Sequence, residues 1–151
     1  MKKVVIHTDG GARGNPGPGG WAAVLVHGRH TREISGAEAL TTNNRMELRA
    51  AIEALGALKE PCEVEIWTDS VYLQKGFMEW MPKWKAMGWR RKEGGRTKPV
   101  LNVELWQELE RQAARHRVSF HWLPGHRGHP LNERCDCLVQ QAIDELPGER
   151  E

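Results

Sequence analysis

Two β-branched stretches, each ending in an aspartate, constrain the fold of this chain more than any other feature. The first covers residues 4–9 and is followed at once by Gly10 and Gly11, and the second covers residues 64–69. Residues 3–8 alternate in the pattern of a half-buried strand, with Val4, Ile6 and Thr8 on one face. Asp9 and Asp69 therefore lie where two predicted strands end. This arrangement predicts a functional site at one edge of a sheet.

The composition is that of a single globular domain. The chain has 151 residues, of which 39% are hydrophobic and 28% are charged. We expect one domain over residues 1–146, followed by a disordered tail at residues 147–151. No apolar run reaches the length of a membrane span and the first 30 residues lack a signal-peptide pattern, so we expect a cytoplasmic protein without membrane contact. The three cysteines are too few for a disulfide framework and are expected to stay reduced.

The spacing of apolar residues predicts an α/β domain that begins with a hairpin. Strands are predicted at residues 3–8, 21–26, 31–35, 62–68 and 118–123. Helices are predicted from residues 41–47 onward, from 71 to 80 with a continuation to Met87, from 99–102 onward, and from 131 to 146. The glycine-rich residues 10–20 are predicted to form a turn. This turn is not a nucleotide P-loop, because neither a Lys-Ser/Thr pair nor a helix follows it.

Positive charge is concentrated in one segment. Between Pro82 and Pro99 there are seven basic residues and one acid, a local charge of +6, whereas the whole chain carries +2 and the remainder therefore −4. Trp80, Trp84 and Trp89 lie among these cations. We expect the basic cluster to bind a polyanion, with indole faces available for stacking. The alternative is that the tryptophans are core residues of a helix pair, and for each one singly we favour the core.

Four acidic residues share a position beside an apolar face at the end of an element. They are Asp9, Glu47, Asp69 and Asp136. If their strands are parallel neighbours, Asp9 and Asp69 lie about 5 Å apart. Crowded carboxylates repel one another, and a hard divalent cation such as Mg²⁺ or Mn²⁺ removes that penalty. Glu47 has an alternative interpretation as a border residue stabilised by the helix dipole, and spacing alone does not decide between the two.

His126 lies between glycines that allow mobility and close approach of a substrate. It can move protons near neutral pH, although an exposed loop histidine without a role is an equally good interpretation.

Together these motifs resemble the bacterial type 1 family of ribonucleases H. The matching segments occur in the family's order over roughly residues 3 to 145, at residues 8–17, 42–47, 68–72, 125–130 and 132–136. The resemblance implies an α/β ribonuclease H-like fold with a five-stranded mixed sheet, ordered 3-2-1-4-5 and flanked by helices. It implies an endonuclease that cuts the RNA strand of an RNA–DNA hybrid by a two-metal-ion mechanism, leaving 5′-phosphate and 3′-hydroxyl ends.

The resemblance also assigns roles to individual residues. Asp9, Glu47, Asp69 and Asp136 would hold two Mg²⁺ ions, with Mn²⁺ as a possible substitute, and Asp9 would bridge both ions. His126 would assist proton transfer or product release. Asn15, Asn43 and Asn44 would contact the RNA strand, and Thr42 would bind a DNA phosphate. Residues 80–98 match the family's basic protrusion, whose contacts with the DNA strand would come from Trp80, Lys83, Lys85, Arg90 and Arg91.

The chain departs from the family pattern at Val71, Pro124 and Arg127, which bear on substrate affinity and turnover. Two other functions remain as alternatives: a non-catalytic module that binds hybrids, and a DNA-directed nuclease of the same fold. Nothing in the sequence requires a dimer, and we expect a monomer.

Overall fold

The computed structural model of the protein describes residues 1–125 and 128–147. Five strands form the main sheet: β1 (Lys2–Ala12), β2 (Gly17–His27), β3 (His30–Thr41), β4 (Cys62–Thr68) and β7 (Arg117–Trp122). A separate hairpin contains β5 (Arg90–Glu93) and β6 (Arg96–Pro99). The helices are α1 (Asn43–Gly56), α2 (Val71–Lys75), α3 (Met81–Ala86), α4 (Val103–Ala113) and α5 (Pro130–Asp144), with a π-helical segment at Gly76–Trp80.

The order of the main sheet is β3-β2-β1-β4-β7. Counted within this sheet alone, it is the predicted order 3-2-1-4-5, and the prediction is confirmed. The three N-terminal strands are antiparallel, whereas β1 with β4 and β4 with β7 are parallel. This order places β1, which carries Asp9, at the centre of the sheet and next to β4.

Two hydrophobic layers cover the two faces of the sheet. On one face, α1 and α4 bury Leu48, Ala51, Ile52 and Leu55, which recur at helical spacing, together with Trp106. On the other face, α5 packs against β2 in a smaller cluster. Ala50 and Ala54 of α1 are buried as well, and α1 packs against both β1 and α4.

The prediction of a turn throughout residues 10–20 was wrong. β1 continues to Ala12 and β2 begins at Gly17, so most of the glycines lie in paired strands. Glycine is required there by close packing, since a Cβ on Gly19 would lie 2.5 Å from Cγ2 of Thr41, and one on Gly20 would lie 2.9 Å from the carbonyl oxygen of Val139. These residues therefore bring neighbouring backbone close to the sheet and do not break it.

The predicted helix over residues 71–80 is interrupted. It consists of α2 followed by the π-helical segment, and α3 continues to Ala86. Gly76 lies under the indole of Trp106, where an added Cβ would come within 2.0 Å of Cη2 of that ring. Trp84 and Trp89 are half-buried against the same core, in agreement with the core interpretation of the tryptophans.

The β5–β6 hairpin was not predicted. Its turn is Gly94-Gly95, and both residues have positive φ, at 57° and 78°. Two adjacent glycines between short strand-like segments indicate a hairpin, but here the flanking segments are too polar to be recognised as strands.

Residues 148–151 of the predicted tail lie outside the described residues. No helix within residues 1–125 and 128–147 has the length and apolar character needed to cross a membrane.

Candidate metal centre and nucleic-acid interface

Asp9 and Asp69 are brought together by the parallel pairing of β1 and β4. The register places His7 beside Trp67, so each aspartate lies two residues beyond the last pair. Asp69 directly follows β4, as predicted. Asp9 does not end its strand, because β1 stays paired with β2 and Asp9 itself lies opposite Ala22. The site thus forms where β4 separates from a β1 strand that continues.

Glu47 joins the two aspartates because α1 packs directly on the backbone of β1. A Cβ on Gly10 would lie 2.4 Å from the carbonyl carbon of Met46 and 2.5 Å from the amide nitrogen of Glu47. Glycine is therefore the residue that lets the first turns of α1 approach β1. Thr42 caps this helix by accepting a hydrogen bond from the backbone N–H of Arg45 at 3.2 Å.

The three carboxylates form a compact cluster. One oxygen from each of Asp9, Glu47 and Asp69 lies within 4.8 Å of the others. Asp9 and Glu47 are buried and Asp69 is half-buried. Burial, and next the charges of Asp9 and Asp69, hold the pKa of Glu47 well above its usual range.

The donor set fits a hard divalent cation. The Oε1 atom of Glu47 is buried and makes no hydrogen bond with any described residue. Such an atom is costly in a protein interior unless a charged partner compensates it. The ligand atoms are all carboxylate oxygens, which favour magnesium or manganese over zinc.

Asp136 lies in the second turn of α5 and is half-buried. It does not belong to the group of three whose oxygens lie within 4.8 Å. Its helix is fixed to the same strand ends one turn earlier by Asn132, which is fully buried. The Asn132 amide donates to the carbonyl oxygens of Trp67 at 3.3 Å and Thr8 at 3.5 Å. Asp136 therefore sits on the helical face that is anchored beside the cluster.

The predicted histidine loop is only partly described. His126 and Arg127 lie outside the described residues, and the structure therefore does not test the proposed role of His126. Pro124 and Gly125 precede this gap and are exposed. After it, the backbone N–H of Gly128 donates to Oε2 of Glu133 at 3.3 Å, and α5 begins at Pro130.

The four predicted RNA-strand and phosphate contacts lie in the β1–β2 loop and at the start of α1, one to two turns before Glu47 in the case of the α1 residues. Asn43 accepts a hydrogen bond through Oδ1 from the backbone N–H of Ala12 at 2.7 Å, and its own backbone N–H donates to Oδ1 of Asn15 at 3.0 Å. Because both amide oxygens are used inward, both NH₂ groups point away from these bonds. Asn15, Asn43 and Asn44 are exposed, and Thr42 lies next to them in the chain. The arrangement presents amide donors to a ligand.

The predicted basic contacts lie on the helices and hairpin that follow β4. Lys83 is exposed, Lys85 forms an ion pair with Glu110, and Arg90 donates to the hydroxyl and carbonyl oxygens of Thr97. Arg91 pairs with Glu93 at 2.8 Å. The ring of Trp80 lies between those of Tyr72 and Trp84, with centroids 6.0 and 5.9 Å away, and the side chain is half-buried.

Sequence reasoning missed the residues that connect these parts. Asn132 lies in the matching segment 132–136 but had no predicted role of its own, and no role was predicted for Arg13 or Arg45. Arg45 donates to Oδ1 of Asn102 at 3.2 Å and pairs with Glu104 at 2.5 Å, which joins α1 to the start of α4. Their partners lie far away in the sequence, so no local pattern marks them.

Comparison with known proteins gives a consistent result. The family model described as RNase H matches residues 1–144. The chain is 53% identical over 146 residues to a ribonuclease H of Cupriavidus pinatubonensis, covering 97% of this chain and 99% of that protein. It is 54% identical over 149 residues to a ribonuclease H of Hahella chejuensis, covering 99% of each.

Solved structures agree with the sequence relatives. LC9-RNase H1, a type 1 RNase H with the type 2 active-site motif, superposes with a TM-score of 0.84 at 33% identity, covering 95% of this chain and 73% of that one. LC11-RNase H1, solved in complex with an RNA/DNA hybrid, superposes with a TM-score of 0.70 at 30% identity, covering 93% and 96% of the two chains.

Proposed function

Because this chain belongs to the ribonuclease H family, we propose that it hydrolyses the RNA strand of RNA–DNA hybrids as an endonuclease. The products would be 5′-phosphate and 3′-hydroxyl ends. The observation that carries this proposal is the cluster of three carboxylates, with oxygens within 4.8 Å of one another, at the sheet edge beside exposed asparagine amides.

The metal ligands in this proposal are Asp9, Glu47, Asp69 and Asp136, and the ions are two Mg²⁺, with Mn²⁺ as a substitute. Bound ions would supply activation of the attacking water and stabilisation of the leaving oxygen. Asp9 belongs to the most central strand and would be shared by both ions. Glu47 would stay ionised in the loaded site because the cations offset the burial and the repulsion from Asp9 and Asp69 that raise its pKa. His126 would assist proton transfer or product release.

Recognition of the RNA strand would come from short polar side chains. Only one strand of a hybrid carries 2′-hydroxyls, and these accept and donate hydrogen bonds in the minor groove. The outward NH₂ groups of Asn15 and Asn43 can donate to such oxygens, since their Oδ1 atoms are held inward. Asn44 follows on the exposed start of α1. Thr42 would bind a DNA phosphate. Contacts of this kind read the backbone and predict little sequence preference.

The DNA strand would bind to residues 80–98, through Trp80, Lys83, Lys85, Arg90 and Arg91. Support comes from the local charge of +6 and the exposure of most of these cations. Binding through phosphates makes affinity fall steeply as salt rises.

We further propose that residues 1–146 act as one monomeric domain in the cytoplasm, where free thiols stay reduced.

A substrate panel tests the activity. The protein is incubated with end-labelled RNA–DNA hybrid, RNA duplex and DNA duplex, each with Mg²⁺, with Mn²⁺ and with EDTA. We expect cleavage of the hybrid alone, only in its RNA strand, and only with a divalent cation. Cleavage of the DNA duplex would favour a DNA-directed nuclease, and binding of the hybrid without any cleavage would favour a binding module.

An Asp9→Asn variant tests the metal assignment. The change keeps the size of the side chain but removes the charge of a ligand proposed to serve both ions, so cleavage should be lost while hybrid binding persists. Glu63→Gln, an exposed change on β4, is the matched control and should cleave like the unaltered protein. Full activity in Asp9→Asn would overturn the assignment.

A further inference from the structure

The side chain of Arg13 connects the β1–β2 loop to the far end of α5. Its Nη1 donates to Oδ1 of Asp144 at 2.7 Å. Its Nη2 donates to Oε1 of Gln140 at 2.9 Å and to the Gln140 carbonyl oxygen at 3.3 Å, and its Nε also reaches Oε1 of Gln140 at 3.3 Å. A planar guanidinium bound at several donors fixes direction as well as distance. The loop is thereby attached to a helix more than one hundred residues away in the sequence.

The same loop is attached to α1 on its other side. The backbone N–H of Asn43 donates to Oδ1 of Asn15, and the backbone N–H of Arg13 closes the loop by donating to the Pro18 carbonyl oxygen at 2.8 Å. The backbone is tightly packed, because a Cβ on Gly17 would lie 2.1 Å from the carbonyl oxygen of Arg13. A movement of Arg13 would therefore be passed on to Asn15.

We propose that Arg13 is a positioning residue that holds Asn15 in the orientation that receives the RNA strand, and that Gln140 and Asp144 are its anchors. This inference rests on the proposed function, because it concerns how the hybrid is bound. Arg13 acts through Asn15 and does not itself contact the nucleic acid. Asp144 compensates its charge, so the guanidinium adds little to the phosphate-binding surface.

The opposing hypothesis is that Arg13 leaves Asp144 and binds a phosphate of the substrate. The two hypotheses give opposite signs for Asp144→Asn. If Arg13 is a positioning residue, loss of its anchor raises KM for the hybrid. If Arg13 is a phosphate ligand, loss of the competing carboxylate frees it and lowers KM.

The experiment compares Arg13→Ala, Arg13→Lys and Asp144→Asn in steady-state cleavage of the hybrid with Mg²⁺. Arg29→Ala, which removes an exposed arginine from the β2–β3 turn, is the matched control. We expect Arg13→Ala to raise KM about 3–5-fold, as expected for an exposed multi-donor ion pair, with kcat within about twofold. Asp144→Asn should raise KM less, because Gln140 still holds the guanidinium. Arg13→Lys should be intermediate, because lysine can pair with Asp144 but cannot reproduce the fork to Gln140.

Two further measurements separate positioning from direct contact and from general loss of structure. The dependence of hybrid affinity on salt should keep its slope in Arg13→Ala, whereas a lost phosphate contact would reduce the slope by about one. The double variant Arg13→Ala/Asp144→Asn should be no worse than Arg13→Ala alone, because Asp144 acts only through Arg13. The melting temperature should fall by at most a few degrees in any variant, because an exposed ion pair adds little to stability.

Unchanged KM in Arg13→Ala, or a lower KM in Asp144→Asn, would overturn the inference while leaving the proposed function intact. Failure of the unaltered protein and of Arg29→Ala to cleave the hybrid would instead overturn the proposed function, and this inference with it.

Discussion

The Nδ1 atom of His7 lies 2.6 Å from the Oδ1 atom of Asn132. The Asn132 amide nitrogen donates to two carbonyl oxygens, so its Oδ1 atom faces the imidazole ring. Because Oδ1 can only accept a hydrogen bond, Nδ1 of His7 carries the proton and donates it. Burial lowers the pKa of His7, which keeps the ring neutral. This single side-chain pair therefore joins the start of α5 to the central strand.

Replacement of Asn132 should destabilise the fold in a graded way. Asn132→Ala leaves the His7 N–H without its partner and should lower the free energy of unfolding by about 1–3 kcal/mol. Asn132→Asp places a buried carboxylate against the Thr8 and Trp67 carbonyl oxygens and should cost more at neutral pH. Urea denaturation measures both, with Asn44→Ala on the exposed start of α1 as the control. An Asn132→Asp protein as stable as the original would contradict this account of the contact.

Glu47 should make the metal-free protein less stable as pH rises. Its folded-state pKa is raised above the ordinary 4.5, first by burial and then by Asp9 and Asp69, so the folded state holds the proton more tightly than the unfolded state. The contribution to stability is therefore full below about pH 4.5 and is lost as pH rises through the folded-state pKa. In EDTA at pH 8, Glu47→Gln should be more stable than the original by on the order of 1–3 kcal/mol.

Urea denaturation of the original protein and of Glu47→Gln, in EDTA between about pH 4.5 and pH 8, measures this difference. The advantage of Glu47→Gln should shrink toward low pH, and Mg²⁺ should stabilise the original protein more than the variant. Glu63→Gln should show no such pattern. A variant advantage that stays constant with pH would contradict the assigned cause.

Gly76→Ala should be strongly destabilising because its Cβ would overlap the Trp106 ring. Overpacking of this kind costs about 1–3 kcal/mol. Gly56→Ala, at the exposed end of α1, is a matched control, since the nearest atom to its Cβ is Oε1 of Gln112 at 3.7 Å. That change should be neutral or slightly stabilising. Thermal unfolding followed by circular dichroism distinguishes the pair, and equal melting temperatures would argue against the close approach of Gly76 and Trp106.

The three cysteines should differ sharply in reactivity. Cys137 is exposed, whereas Cys62 and Cys135 are buried. Burial, with a further contribution from Asp9, raises the pKa of Cys135 to about 12, and its Sγ donates to the His7 carbonyl oxygen at 3.2 Å. A thiol-specific disulfide reagent at pH 8 should titrate one group quickly in the native protein and three in guanidinium. Cys137→Ser should abolish the fast reaction, and a remaining fast thiol would contradict the burial of the other two.

The fold was predictable because its signals are local. Alternation identified β1, and the β-branched run that ends in Asp69 identified β4. Apolar residues at helical spacing identified α1. The strand bounds at residues 17–20 were not predictable, because the same glycines that favour turns also permit close packing in a sheet. The β5–β6 hairpin was not predicted because its strands are charged and mostly exposed, so they lack the apolar pattern of a strand.

The carboxylate cluster was predictable in part. Two β-branched runs that end in aspartates identified Asp9 and Asp69, although Asp9 lies inside β1. The burial of Glu47 depends instead on Gly10 and on how α1 lies across it. Arg13 and Asn132 act through partners more than one hundred residues away. Such contacts carry no periodicity, so only the folded chain reveals them.

The central place of β1 sets an order of assembly on the ribosome. β2 follows β1 closely in the chain and pairs with it, but the other neighbour of β1, β4, begins only at Cys62. Asp136 and Asn132 belong to α5, which follows every other described element in the chain. A nascent chain that still lacks α5 therefore contains Asp9, Glu47 and Asp69. It does not yet contain Asp136 or the Asn132 amide that binds the strands. The proposed metal site, which includes Asp136, is therefore complete only once α5 has been translated.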